Sequence, residues 1–275
     1  MANAEFGMKD IPQSEIRNPK SEIEERMPLH STEAIVIGGH NLAEADRIVV
    51  FYTQTGGKVR AVAEGARRIR TRFGGSLQLF TEGRLVYFER PNRTLHKINE
   101  FAVTRSHRVL REDLDRLVLA STAVEAVAAG VEEEEAFPDL YILLADALDL
   151  LEGAARPALV MQGFFLHLLR LLGYRPELSE CVRCRKPVPS NADASLSPGQ
   201  GGLICPGCQP AVADLFAVSS AALGFLRGAS GSTLRIMDRI TILPQVLQEV
   251  SEILGVFLRH VLGRPLRSAD FLASL

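Results

Sequence analysis

The sequence predicts an α+β multidomain chain, an N-terminal five-stranded OB-fold β-barrel followed by an α-helical domain that carries a four-cysteine zinc site. Three observations predict it: β-like runs confined to the first part of the chain, a switch to helical periodicity after Arg111, and two Cys-x2-Cys pairs within the helical part. The 275 residues are enough for one large or two smaller domains with a sizeable core.

Residues 1–28 are polar, aperiodic and without an apolar cluster, so they are expected to form a disordered leader, with Met27 as a second candidate start. The leader has acidic residues and no apolar centre, which excludes a signal peptide. Residues 29–110 hold the runs TEAIVI, DRIVVFYT, KVRAVAE, SLQLFTEGRLVYFER and TLHKINEFAV, each rich in β-branched or aromatic side chains. Gly56-Gly57 reads as a two-residue hairpin between the second and third runs, and Pro91-Asn92 separates the fourth from the fifth. Five strands in about seventy residues suit a small closed barrel, of which the OB-fold is the common form and the SH3-like barrel the alternative.

Residues 111–275 are predicted to be helical. Leu114, Leu117, Val118, Ser121, Val124 and Ala128 lie along one face of the first helix. Residues 138–153 and 157–173 each begin with Pro and end with Gly, which marks both boundaries. Two more helices are expected at residues 219–227 and 245–262. The longest uncharged apolar stretch, residues 157–169, is too short for a membrane span, so a soluble cytoplasmic protein with no membrane partner is expected.

The four cysteines of the chain, Cys181, Cys184, Cys205 and Cys208, all fall in an insertion at about residues 179–210. Two tight ligand turns joined by a loop long enough to fold back let four thiolates converge on one structural Zn2+, and four thiolates leave no open catalytic position. Gly207 supplies a residue free to take the positive φ of such a knuckle, and Arg183, Arg185 and Lys186 offset the charge of the thiolates. Disulfides or a redox dithiol are the competing readings.

The net charge of -2 conceals an asymmetry: residues 31–111 sum to +7 and residues 112–275 to -7. Six of the cations lie in the segment KVRAVAEGARRIRTR, as Lys58, Arg60, Arg67, Arg68, Arg70 and Arg72. A local excess of guanidinium groups in a candidate barrel points to a polyanion site, with phosphate oxygens held bidentately. Lys58 and Arg60 share one strand face, Gly65 and Gly74-Gly75 bracket the following loop, and Phe73 and Phe80 are candidate stacking faces for unpaired bases or, alternatively, core residues. No Walker A, Gly-x-Gly-x-x-Gly, Gly-x-Ser-x-Gly or His-Glu-x-x-His motif is present, so no catalytic residue is expected. His167, within FFLHLLRLL, reads as a satisfied core or interface histidine, and the run 132–135 as a solvated interhelical loop.

The stretch EAIVIGGHNLAEADRIVVFYTQTGGKVRAVAEGARRIRTRFGGSLQLFTEG resembles the N-terminal barrel of the bacterial RecO recombination mediators, and LLGYRPELSECVRC followed by GGLICPGC resembles their helical domain and zinc insertion. The resemblance covers residues 31–262. It implies a non-catalytic protein of recombinational DNA repair that binds single- and double-stranded DNA and anneals complementary strands. It also implies association with RecR, contact with the acidic C-terminal tail of single-stranded DNA-binding protein, help in loading RecA, and a place at the bacterial nucleoid. Gly65, Ala66, Arg67, Arg68 and Arg72 match the basic-loop positions of that family. Glu64 stands where its members usually have Lys or Arg, and Arg185 stands where a glycine often follows the first knuckle. A zinc-containing protein-binding adaptor and a metal-dependent nuclease are the rival functional readings.

Overall fold

Both faces of the first strand are apolar enough to be buried, and that double burial organises the fold. The computed structural model describes residues 27–90, 93–189 and 194–268. The leader up to residue 26 and the Pro91-Asn92 turn lie outside them. Strands β1 (Leu29–Leu42), β2 (Asp46–Thr53), β3 (Gly57–Ala63), β4 (Glu82–Phe88) and β5 (Leu95–Arg105) close a barrel in the order β1-β2-β3-β5-β4. All its pairings are antiparallel except β3 with β5. That order is the OB-fold order and excludes the SH3-like alternative.

Ala34, Val36, Val49, Phe51, Val59, Ala61, Leu85 and Ile98 point into the barrel and form its core. Their neighbours Ile35, Ile37 and Tyr52 face outwards and join the core of the helical part. The fourth predicted run is only half strand. Residues 74–81 form turns, and β4 begins at Glu82 because Phe80 takes a φ of 70° and drives its ring into the helical core.

The hairpin after β2 also differs from the expected two-residue turn. Residues 54–56 make the turn and Gly57 opens β3, paired with Thr53. Gly57 has a φ of 63°, and a Cβ there would lie 2.1 Å from the Glu135 carbonyl oxygen. Only glycine fits, since an L side chain would meet both the left-handed penalty and the backbone of the 132–135 segment. Gly57→Ala is therefore expected to cost about 3 kcal/mol or more, read as a lower midpoint in urea unfolding.

The helical part comprises α1 (Arg108–Glu112), α2 (Leu114–Gly130), α3 (Pro138–Gly153), α4 (Pro157–Leu171), α5 (Ser220–Ser230), α6 (Leu234–Met237) and α7 (Pro244–Leu262). Helices α3, α4 and α7 carry Pro in the first turn, while the Asp113 and Ser219 side chains cap α2 and α5 by accepting from the N–H groups of Arg116 and Ala222. Of the predicted face of α2, Val118 and Val124 are buried while Leu114 is exposed, and the buried surface extends round to Ala120, Ala123, Ala126 and Val127. Small residues let α2 pack closely between its neighbours, a preference that counting large apolar residues misses.

The cysteine segment is not helical. It folds as a three-stranded sheet, β7-β6-β8, from β6 (Ala194–Ser197), β7 (Gly202–Ile204) and β8 (Phe216–Val218). Leu196 and Leu203 carry this sheet into the helical core. No helix of the described residues is long and apolar enough to cross a membrane.

Candidate nucleic-acid interface and metal centre

The β3–β4 connection, residues 64–81, leaves the barrel with its basic half exposed and its apolar half buried. Phe73 and Leu77 sink into the barrel core and Phe80 into the helical core, so the segment is pinned at its far end. Phe73 is 5 % exposed and Phe80 is fully buried. Neither ring can stack on a base, and the core reading of these phenylalanines replaces the stacking one.

The near end is tied to the β1–β2 turn. The Gly65 N–H donates to Asp46 Oδ1 (2.8 Å), the Arg67 N–H to the Ala45 carbonyl (2.9 Å), and the Arg67 guanidinium to the carbonyls of Ala43 and Glu44 (2.9 and 3.0 Å). Gly65 adopts a φ of 70°, which opens the turn out of β3. Arg72 donates to the Ile98 carbonyl (3.1 Å) and lies 4.7 Å over the Phe73 ring. Arg68 and Arg70 make no side-chain hydrogen bond among the described residues and project into solvent. Ile69 stands fully exposed between them.

Arg68 and Arg72 also line a polar cleft of about 580 Å3 with Asp46, Glu64 and Lys97. The Glu64 carboxylate sits 3.3 Å from the Lys97 ammonium. The acid at this position is thus offset by a cation from β5, a pairing across 33 positions that no local pattern reveals. Lys97 and Ile69 are the members of this surface that sequence reasoning missed. Ile69 had a local signal, an isolated apolar residue within a run of arginines.

Lys58 and Arg60 are placed elsewhere. The Lys58 ammonium donates to the carbonyls of Ala128 and Val131 (3.3 and 3.2 Å), and both side chains pair with Glu133, Arg60 at 2.9 Å. Backbone contact reinforces the clamp, since the Glu134 N–H donates to the Lys58 carbonyl (3.2 Å). The 132–135 run is accordingly a docking segment that fastens the barrel to the helices, in place of the solvated loop expected.

All four cysteine sulfurs lie within 4.8 Å of one another, and the Cys184 and Cys205 sulfurs are 3.7 Å apart. A tetrahedral ion with bonds of about 2.3 Å to sulfur separates its ligands by about 3.8 Å, so the donor set fits such an ion closely. Burial raises the Cys181 thiol, but the amides of Cys184, Cys205 and Arg183 outweigh it and bring the thiol down to about 6. Cys208 is pushed up to about 12, first by its hydrogen bond to Cys205 and then by burial and the other sulfurs. Mutual repulsion at this spacing lets all four sulfurs ionise together only around a cation.

The knuckle glycine is not used as expected. Gly207 has no positive φ, while Arg185 takes a φ of 58° and donates its N–H to the Cys181 carbonyl (2.8 Å). Arg185 holds this left-handed turn by pairing with Glu180 (2.8 Å). Because a Cβ on Gly207 would meet nothing within 4 Å, Gly207→Ala is expected to leave metal content and melting temperature unchanged within error.

A second cleft, of about 470 Å3, lies between α3, α4 and α6, floored by Ile142, Leu143 and Leu234 and edged by Arg170, Arg235, Asp139 and Asp146. His167 sits in its wall and donates from Nε2 to the Ser232 carbonyl (2.7 Å), the satisfied histidine expected there.

Comparison with known proteins agrees with this architecture. The family model described as Recombination protein O N terminal matches residues 27–107, and Recombination protein O C terminal matches residues 111–270. The DNA repair protein RecO of Symbiobacterium thermophilum is 34 % identical over 251 residues, covering 90 % of this chain and 98 % of that protein. That of Roseiflexus sp. (strain RS-1) is 36 % identical over 244 residues, covering 89 % and 85 %. That of Anaeromyxobacter sp. (strain K) is 34 % identical over 239 residues, covering 86 % and 93 %.

Proposed function

The chain belongs to the Recombination protein O family, and from that premise we propose that it is a non-catalytic DNA-binding mediator of recombinational repair. The observation that carries the DNA-binding half is the exposed row Arg67, Arg68, Arg70 and Arg72 on a loop pinned at both ends. Guanidinium groups held on a fixed scaffold neutralise phosphates on two strands at once, which lowers the repulsion that keeps complementary strands apart. Pairing then proceeds by base chemistry alone, and annealing needs no acid, base or nucleophile from the protein. Lys58 and Arg60 support the same surface indirectly, by holding the barrel on the helices through Glu133.

Cys181, Cys184, Cys205 and Cys208 hold a structural Zn2+, which the sulfur spacing and the need for a cation support. The barrel is the surface offered to RecR, as the family resemblance implies. The apolar cleft edged by Arg170 and Arg235 suits the acidic C-terminal tail of single-stranded DNA-binding protein, with the arginines taking the carboxylates and Ile142 and Leu143 an apolar residue. Through these partners the protein assists RecA loading at the nucleoid, in the cytoplasm.

A strand-annealing assay with labelled complementary oligonucleotides, run with and without RecR and single-stranded DNA-binding protein, tests the whole reading. Annealing by the protein alone, retained on coated strands, is the expected result. DNA affinity absent in every buffer down to low salt would leave the adaptor reading, and nucleotide products would favour the nuclease.

A further inference from the structure

Where β4, the end of β5 and α3 meet, three carboxylates from both parts of the chain converge on one buried imidazole. His107, 2 % exposed, caps α1 from a left-handed conformation with a φ of 47°. Neither of its ring nitrogens has a hydrogen-bond partner, and neither does Glu82 Oε2. Its Nε2 lies 3.8 Å from Glu82 Oε2 and 3.8 Å from Asp149 Oδ1, and its Nδ1 lies 3.4 Å from Glu152 Oε2. An imidazole buried with two idle nitrogens is costly unless something sits between it and the carboxylates.

The outer contacts of the carboxylates narrow what that something is. Tyr141 donates its hydroxyl to Glu82 Oε1 (3.2 Å), and Arg105 pairs with Asp149 Oδ2. Each carboxylate thus has one oxygen held from behind and the other turned towards His107 Nε2. Glu152 faces the opposite nitrogen at 3.4 Å, where its negative charge favours a proton on Nδ1 and so leaves Nε2 its lone pair. We propose that Glu82 Oε2, His107 Nε2 and Asp149 Oδ1 form a second metal site, for a divalent cation of the Zn2+ or Mn2+ type. Bonds near 2.1 Å set tetrahedral separations of about 3.4 Å, so the two 3.8 Å distances from Nε2 need to close by a few tenths of an ångström, and the two carboxylate oxygens lie within 4.8 Å of each other. Water completes the shell, and partial exposure of Asp149 leaves an entry path.

Charge agrees with geometry. Glu82, Asp149 and Glu152 bring three negative charges against Arg105 and, facing Glu152, Arg111, which leaves net negative charge for a cation in this half-buried space. An imidazole ligand selects borderline cations over Mg2+ and Ca2+. The bound ion ties β4, the β5–α1 junction and α3 together, and so fixes the barrel against the helices.

The test uses the full chain with its cysteine site already loaded. Zinc content after equilibrium dialysis is expected to be two equivalents in the wild type and one in Glu82→Gln, Asp149→Asn and His107→Asn, asparagine being tolerant of the left-handed backbone. The second equivalent is expected to add only weak visible bands when Co2+ replaces zinc, without the thiolate charge-transfer of the first. At a hundredfold excess over Kd it should raise the melting temperature by about 5 °C. A single equivalent in the wild type at saturating Zn2+ and Mn2+ would mean that His107 holds a proton there instead, and would overturn the site. So would a second equivalent retained in all three variants. Should His107→Asn fail to fold, the two isosteric carboxamide variants decide the matter.

Discussion

Alanine at Arg67, Arg68, Arg70 and Arg72 together is expected to abolish strand annealing while leaving the barrel folded. If each guanidinium neutralises one phosphate, log affinity for a single strand should lose about 2.8 from its slope against log salt. The four arginines then account for roughly a fifty-fold change in affinity between about 50 and 200 mM salt, which the variant should not show. Electrophoretic mobility shifts across a salt series read the slope, and fluorescence-quenching kinetics read the annealing. The arginines are not equivalent. Arg67 and Arg72 also bond backbone carbonyls, so their loss should cost some stability as well as charge, whereas Arg68 and Arg70 should cost charge alone. Arg68→Ala with Arg70→Ala therefore separates the two effects, with half the slope lost and the melting temperature held. An unchanged slope in the fourfold variant would remove the loop from DNA binding.

Cys205→Ser with Cys208→Ser is the other large effect, and it should show in stability. Structural zinc sites contribute on the order of 10 kcal/mol of apparent binding free energy, comparable with the whole stability of an ordinary domain. The affected sheet reaches the core, because Cys181, Leu196 and Leu203 pack with Leu178, Val188 and Ala194 beside α5. Loss of the ion should unfold β6, β7 and β8, expose that apolar surface and lower the melting temperature by well over about 10 °C, with zinc released to a colorimetric chelator. DNA affinity of the fraction that remains folded is expected to persist, since no described hydrogen bond joins the 177–218 region to residues 64–81. Affinity that collapses with folding intact would put the cysteine insertion in the DNA surface.

The barrel was legible because its signal is local. TEAIVI and DRIVVFYT have the composition of strands whatever surrounds them, and Pro138 and Pro157 mark helix starts by removing a donor that the first turn does not need. The same holds for the cysteines, whose spacing alone places four sulfurs around one point, and for the arginine run as a source of charge.

What each charge does is another matter, because it depends on partners far along the chain. Lys58 and Arg60 look like the rest of the basic run, yet they are bound to Glu133, more than seventy residues away, while Arg68 and Arg70 are left to solvent. Phe73 and Phe80 could face a base or a core with the same spacing, and the bend at Phe80 decided for the core. Glu82, His107 and Asp149 carry no motif at all, since a strand, a helix cap and a helix bring them together only when the barrel docks. Periodicity and composition report each segment's own preference for water or apolar surroundings. Electrostatic pairing is a property of two segments, and it comes into being when tertiary packing sets the distance between them.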